Sequence, residues 1–177
     1  PDLHCDYYGA SLHKWLSVPL GAGILYVRKD RIAGLWPVYG DGGTPDGDIR
    51  KLNHTGTHPV HTDLGIENAI AFHEAIGGAR KEARLRYLQR YWSDKVRGSP
   101  KIVVNTPADV TRSCGIANVG VQGIKPGDLM KILFEKYKVW TVAIDGVGVH
   151  GVRVTPQVYT TPAELDTFVK ALKELSA

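Results

Sequence analysis

Lys14 stands between His13 and Trp15, three positions after Ser11, with Gly21, Gly23 and the apolar run 24 to 27 behind it. A lysine ammonium is strongly hydrated and ordinarily points to water. In a partly buried setting its free amine becomes available as a nucleophile toward a carbonyl carbon, the chemistry of Schiff bases. By itself such a lysine reads as a surface residue. Its neighbours within three residues include a hydroxyl and an imidazole, both hydrogen-bonding groups.

Three further places carry usable side chains. His54, His58, His61 and Asp63 crowd one short stretch, and zinc sites use His and Asp. A metal-dependent hydrolase is therefore an alternative, although no regular element visibly orients the four. Gly56 and Thr57 lie inside the same stretch, "HTGTHPV". Arg153 sits in "GVRVTPQVY" and by itself reads as an ordinary strand residue. Two letter patterns are declined. "GVGVHG", residues 146 to 151, fits a dinucleotide fingerprint, but a strand rather than a helix follows, so a hairpin loop is expected. "NHT", residues 53 to 55, matches a glycosylation sequon without a visible secretory signal.

These residues need elements to hold them. A short strand is expected at "GAGILYV", then a long Gly/Pro/Asp-rich loop from 39 to 59. A helical region follows over 63 to 97, capped by Asp63, with Ile66, Ala69, Ile70 and His73 on one face. Gly77 and Gly78 should break it. Its second half carries Leu85, Leu88, Trp92 and Val96 among basic residues and ends at Gly98 and Pro100. Beyond 101 the rhythm becomes strand, strand, helix from Pro126, strand, strand, helix from Pro162. Thr161, Pro162 and Glu164 supply a cap, a first-turn proline and a capping-box glutamate. The order implies an α/β to α+β chain whose second part packs helices on one face of a small, mostly antiparallel sheet.

Composition sets the outer limits. The 177 residues are 43% hydrophobic and 23% charged, an ordinary globular balance. The net charge of +4 comes largely from residues 79 to 97, at helical spacing, which reads as a solvated helix face. No nucleic-acid motif accompanies it, and no apolar run approaches membrane-spanning length. Neither a nucleic acid nor a membrane is an expected partner, and the expected location is the cytoplasm. Cys5 and Cys114 are far apart and should be free thiols. The opening "PDLHCDYYGAS" reads like the middle of a domain.

"SLHKWLSVPLGAGILYV" resembles the cofactor-lysine segment of fold-type I pyridoxal-phosphate enzymes, within the class V aminotransferase group, whose members include cysteine desulfurases and isopenicillin N epimerase-like proteins. The likeness is strongest to the epimerase-like branch. It implies pyridoxal 5'-phosphate as cofactor, carried covalently by Lys14, with Ser11 and His13 at its phosphate. "HTGTHPV" is similar to a G-T-x-P-V segment of the group and implies that Thr57, with Gly56 permitting close approach, binds the phosphate of the neighbouring subunit in a homodimer. The third match, residues 151 to 166, implies that Arg153 pairs with the carboxylate of a small amino-acid substrate. The resemblance divides the chain into the end of a cofactor domain (1 to 62), connecting helices (63 to 100) and a small domain (101 to 177).

The group's residues that pair with the pyridine nitrogen and stack on the ring lie upstream of the lysine, in a stretch this sequence does not contain. The resemblance is thus to the C-terminal part of such an enzyme, of epimerase, lyase or aminotransferase type. The chain alone is expected to be inactive, and an inactive scaffold that kept the fold is the main alternative. Cysteine desulfurases also use a mobile cysteine in the small domain. Cys114 is expected to be packed at the start of a strand instead, which disfavours that chemistry.

Overall fold

The computed structural model describes residues 3–37, 39–40, 42–53 and 56–177. The chain divides into two compact units, Pro1–Ala75 and Ile76–Ala177.

In the first unit, β1 (Tyr7–Ser11) and β2 (Gly23–Val27) form an antiparallel pair with Ser11 opposite Gly23 and Tyr7 opposite Val27. A Cβ at position 23 would crowd the Ala10 carbonyl oxygen at 3.3 Å. Much of the pair's surface is apolar and exposed, including Tyr7, Tyr8, Ile24, Leu25 and Tyr26. The expected loop after it contains one 3-10 turn, Ile49–Leu52, capped by the Asp48 carboxylate accepting from Arg50 N. Helix α1 then runs Val60–Ile76. It begins three residues before the expected cap. Pro59 immediately precedes it and has no N–H to leave unsatisfied, and its carbonyl accepts from Thr62 N at 3.2 Å. Asp63 lies in the first turn, where a carboxylate favours the helix dipole. Val18, Ala22 and Ala69 form the unit's small core, with Leu12, Leu16 and Ile66 against it.

The second unit begins at the helix break. Gly77 adopts φ +84°, outside the range of a helix, and α2 follows as Gly78–Val96. Next come β3 (Ile102–Val104), β4 (Ala117–Val121), α3 (Pro126–Tyr137), β5 (Val142–Gly146), β6 (Val149–Val154) and α4 (Pro162–Leu175). The strands form an antiparallel sheet in the order β3-β4-β6-β5. The expected mixed α and β architecture with a mostly antiparallel sheet is what forms.

One face of this sheet is covered by helices, and the core lies between them. Ile102, Ala117, Val119, Val121, Val152 and Val154 meet Leu88, Trp92, Leu129, Leu133, Phe168 and Leu172 there. Strand period two then assigns Asn118, Arg153 and Val142 to the opposite face. Helices α2 and α4 are joined at their rim by Asp166, which takes Lys95 Nζ on one oxygen and Tyr91 Oη on the other at 2.9 Å. The Lys95 ammonium and then the Tyr91 hydroxyl hold the Asp166 carboxyl below the usual carboxylate range. The expected capping box of α4 is complete: Thr161 Oγ1 accepts from Glu164 N, and Glu164 Oε2 accepts from Thr161 N at 2.7 Å.

The β5–β6 connection is the hairpin expected from "GVGVHG". Its two turn residues, Val147 and Gly148, both have positive φ, 52° and 76°. That pattern belongs to a type I′ turn, which favours Asn-Gly, whereas a β-branched side chain is strained in the left-handed region. Val147 is fully exposed and gains no packing in return. Val147→Asn is therefore expected to stabilise the chain by about 1 kcal/mol, read as a higher urea midpoint at unchanged slope. An unchanged or lower midpoint would show that the turn is not under strain.

Candidate active site

Ser11 ends β1, and residues 12 to 22 leave it as a loop that returns to β2. Three backbone bonds close the loop: Leu12 N to Ala22 O, Val18 N to Leu12 O and Ser17 N to Lys14 O. The last turns the chain directly behind Lys14, with Ser17 in the left-handed region at φ 67°. Helix α1 supports the loop from below. Thr62, 2% exposed, donates to Leu20 O at 3.5 Å. Gly65 lets the helix approach so closely that a Cβ there would stand 2.9 Å from Pro19 Cδ. Ser11, His13 and Lys14 therefore sit on one braced loop, and residues 56 to 59 lead straight into the helix that braces it.

The side chains differ in exposure. Lys14 and Ser11 are exposed and His13 is half-buried. The partly buried setting expected for Lys14 is not what this chain provides: the loop turns Leu12, Leu16, Val18 and Ala22 to the core and leaves Lys14 exposed. His13 has the informative atom: its Nδ1 is buried and has no hydrogen-bond partner. Buried polar atoms are rarely left so. In the tautomer with its proton on Nδ1 this atom would donate to a phosphate oxygen, so the residues present fit the cofactor that the likeness implies.

Gly56 has φ +77° with open space where a Cβ would be. The backbone conformation, rather than crowding, is what requires glycine. Thr57 is exposed. His58 Nε2 lies 3.1 Å from Asp63 Oδ2, and among the described residues no three His, Cys, Asp or Glu side chains converge as a metal site would need. His54 of the metal alternative, and the His54–Thr55 part of the sequon, lie outside the described residues.

In the second unit, Arg153 is exposed on β6, paired across the sheet with Asn118 of β4 and Val142 of β5. Cys5 and Cys114 are both free thiols. Cys114 is exposed, which corrects the packed position expected for it. Its loop is pinned to α2 by Arg86, whose guanidinium donates to the Val110 carbonyl at 2.7 Å and to that of Ser113, and this leaves the next side chain outside. Packing therefore does not count against sulfur chemistry at Cys114. Sequence reasoning also passed over Lys51, six positions before Thr57. It is 3% exposed, and its Nζ has no hydrogen-bond partner. Nothing in a Gly/Pro-rich loop signals a buried cation.

Residues 1–169 match the aminotransferase class-V family. The chain belongs to that family. It is 28% identical to isopenicillin N epimerase of Amycolatopsis lactamdurans over 190 residues, covering 98% of this chain and 48% of the epimerase. It is 25% identical to a probable cysteine desulfurase of Pyrococcus abyssi, covering 98% of this chain and 47% of that protein. Among solved structures, the apo cysteine desulfurase of Thermococcus onnurineus NA1 superposes with a TM-score of 0.83 at 23% identity, over 98% of this chain and 48% of that one. The cystine C-S lyase C-DES, solved with its product cysteine persulfide, gives 0.77 at 20% identity. These structural likenesses establish the fold. The chain spans about half the length of the relatives it matches. No helix among the described residues is long and apolar enough to cross a membrane.

Proposed function

We propose that this chain is the C-terminal part of a pyridoxal-phosphate-dependent enzyme acting on an amino acid or small amine, of epimerase, lyase or aminotransferase type. The observation that carries the reading is the braced loop with Lys14 exposed beside a buried His13 Nδ1 that has no hydrogen-bond partner. When bound, the cofactor supplies the electron sink for reaction at the substrate α-carbon. Ser11 and His13 would donate to its phosphate, and the Lys14 amine would hold it covalently until substrate arrives. The Lys14 amine would also be the base and acid for the substrate α-proton. Thr57, freed by Gly56 for close approach, contributes to the phosphate site of the neighbouring subunit in a homodimer. Residues 1 to 62 would close the cofactor domain, 63 to 100 connect, and 101 to 177 form the small domain that presents Arg153.

Arg153 orients the substrate carboxylate through its two-pronged guanidinium. A charge-assisted pair of this kind is worth roughly 2–5 kcal/mol when one partner is truncated. In the cofactor-loaded protein, Arg153→Ala should weaken amino-acid binding at least tenfold while the bound-cofactor absorbance survives desalting unchanged. Arg153→Lys should restore little, because a point charge cannot replace the fork. Loss of the cofactor from Arg153→Ala, or undiminished amino-acid binding, would return Arg153 to a structural role.

A further inference from the structure

Asn118 is the cross-strand partner of Arg153, so the two side chains share the helix-free face of the sheet with Cβ atoms roughly 5 Å apart. Its amide is held in one orientation by its surroundings. Asn105 Nδ2 donates to the His150 carbonyl at 3.1 Å and to Asn118 Oδ1 at 2.7 Å. A carbonyl oxygen can only accept, so the Asn105 atom that faces it is the nitrogen. The Asn118 atom facing that same nitrogen is therefore the oxygen, and exchanging the Asn118 amide end for end would set two donors against each other.

The backbone fixes Asn118 further. Its N–H donates to Thr106 Oγ1 at 2.8 Å, and its carbonyl accepts from Asn105 N at 3.0 Å. The side chain lies over Gly151, where a Cβ would fall 2.6 Å from Asn118 Oδ1, so no side chain at 151 could share the space. Every polar group of Asn118 is thus committed except one. Its Nδ2 is buried and has no acceptor, an arrangement that costs free energy unless an acceptor arrives.

We infer that Asn118 Nδ2 is a second hydrogen-bond donor to the carboxylate that Arg153 binds. A carboxylate offers about four lone-pair sites, and a guanidinium fork occupies two of them. One remaining site can accept from the amide of the adjacent strand. The Asn105–Asn118–His150 network holds that amide in place before the ligand arrives, which reduces the ordering that binding would otherwise require. Asn118 would then favour substrates carrying a carboxylate over amines lacking one. The inference rests on the carboxylate-binding reading of Arg153.

The test is a titration of the 15N-labelled chain with sodium acetate, against sodium chloride at matched ionic strength, followed by NMR. The side-chain amide signals of Asn118, assigned by their loss in Asn118→Ser, and the Nε–H of Arg153 should both shift saturably with acetate and not with chloride. Asn118→Ser should weaken acetate binding, read at Arg153, about tenfold. A saturable response at Arg153 with none at the Asn118 amide overturns the inference and leaves the arginine's role standing. No response at either overturns both. If Asn118→Ser loses its folded spectrum, the amide is assigned by selective Asn labelling and backbone connectivity, and its shift in the unaltered chain decides.

Discussion

Lys14→Ala is expected to abolish covalent attachment of pyridoxal phosphate. In the unaltered protein loaded with cofactor, borohydride should erase the near-visible absorbance and leave the cofactor's mass on the peptide that contains Lys14. In Lys14→Ala both the absorbance and the mass increment should be missing, while the circular dichroism stays unchanged. The side chain is exposed on a loop closed by backbone bonds, so its removal opens no cavity. The effect is all-or-none because no other residue supplies the amine at that position. A mass increment on a different lysine would refute the assignment. No increment in the unaltered, cofactor-saturated protein would favour the inactive scaffold. His13→Ala should behave differently. It keeps the amine and removes one phosphate donor, so the cofactor should attach but dissociate more readily.

Trp92→Ala should be the most damaging single change in the second unit. Trp92 is 0% exposed and stands edge-on to Phe168, with ring centroids 5.2 Å apart at 70°. It joins α2 to α4 beneath the sheet that presents Arg153. Truncating a buried tryptophan typically costs about 3–5 kcal/mol, against a total stability of roughly 5–15 kcal/mol for a natural domain. Much of the margin would be gone, and the urea midpoint should fall steeply. Trp92→Phe should cost far less, about 1 kcal/mol or slightly more. The indole Nε1 is buried without an acceptor, so replacing it sacrifices no hydrogen bond. Equal losses for the two variants would mean that the indole Nε1 makes a stabilising polar contact after all.

The sequence alone was sufficient wherever the cause is local. The capping box at Thr161 and Glu164, the proline opening α3 and the break at Gly77 each follow from the conformational limits of a few neighbouring residues. All three occur at the expected positions. Alternation along "GIANVGVQG" and "GVRVTP" located β4 and β6, because a half-buried strand repeats every two residues. The family was legible for a related reason. Ser11, His13 and Lys14 lie within four consecutive positions, so their spacing survives in one dimension.

Tertiary contacts decided the rest. Helix α1 starts at Val60 rather than at Asp63, an offset within the span of a single turn that local pattern resolves poorly. Cys114 is exposed because Arg86, 28 positions away, pins the loop before it. Lys14 is exposed although its loop turns Leu12, Leu16, Val18 and Ala22 toward the small core of the first unit. Asn118 offered no sequence signal beyond a polar residue at the outward position of a strand. Its meaning comes from Asn105, His150, Gly151 and Arg153. Hydrogen-bond satisfaction and burial are properties of atoms that meet only after the strands pair. Periodicity can assign a residue to a face, and only the paired strands determine which of its atoms are left without a partner.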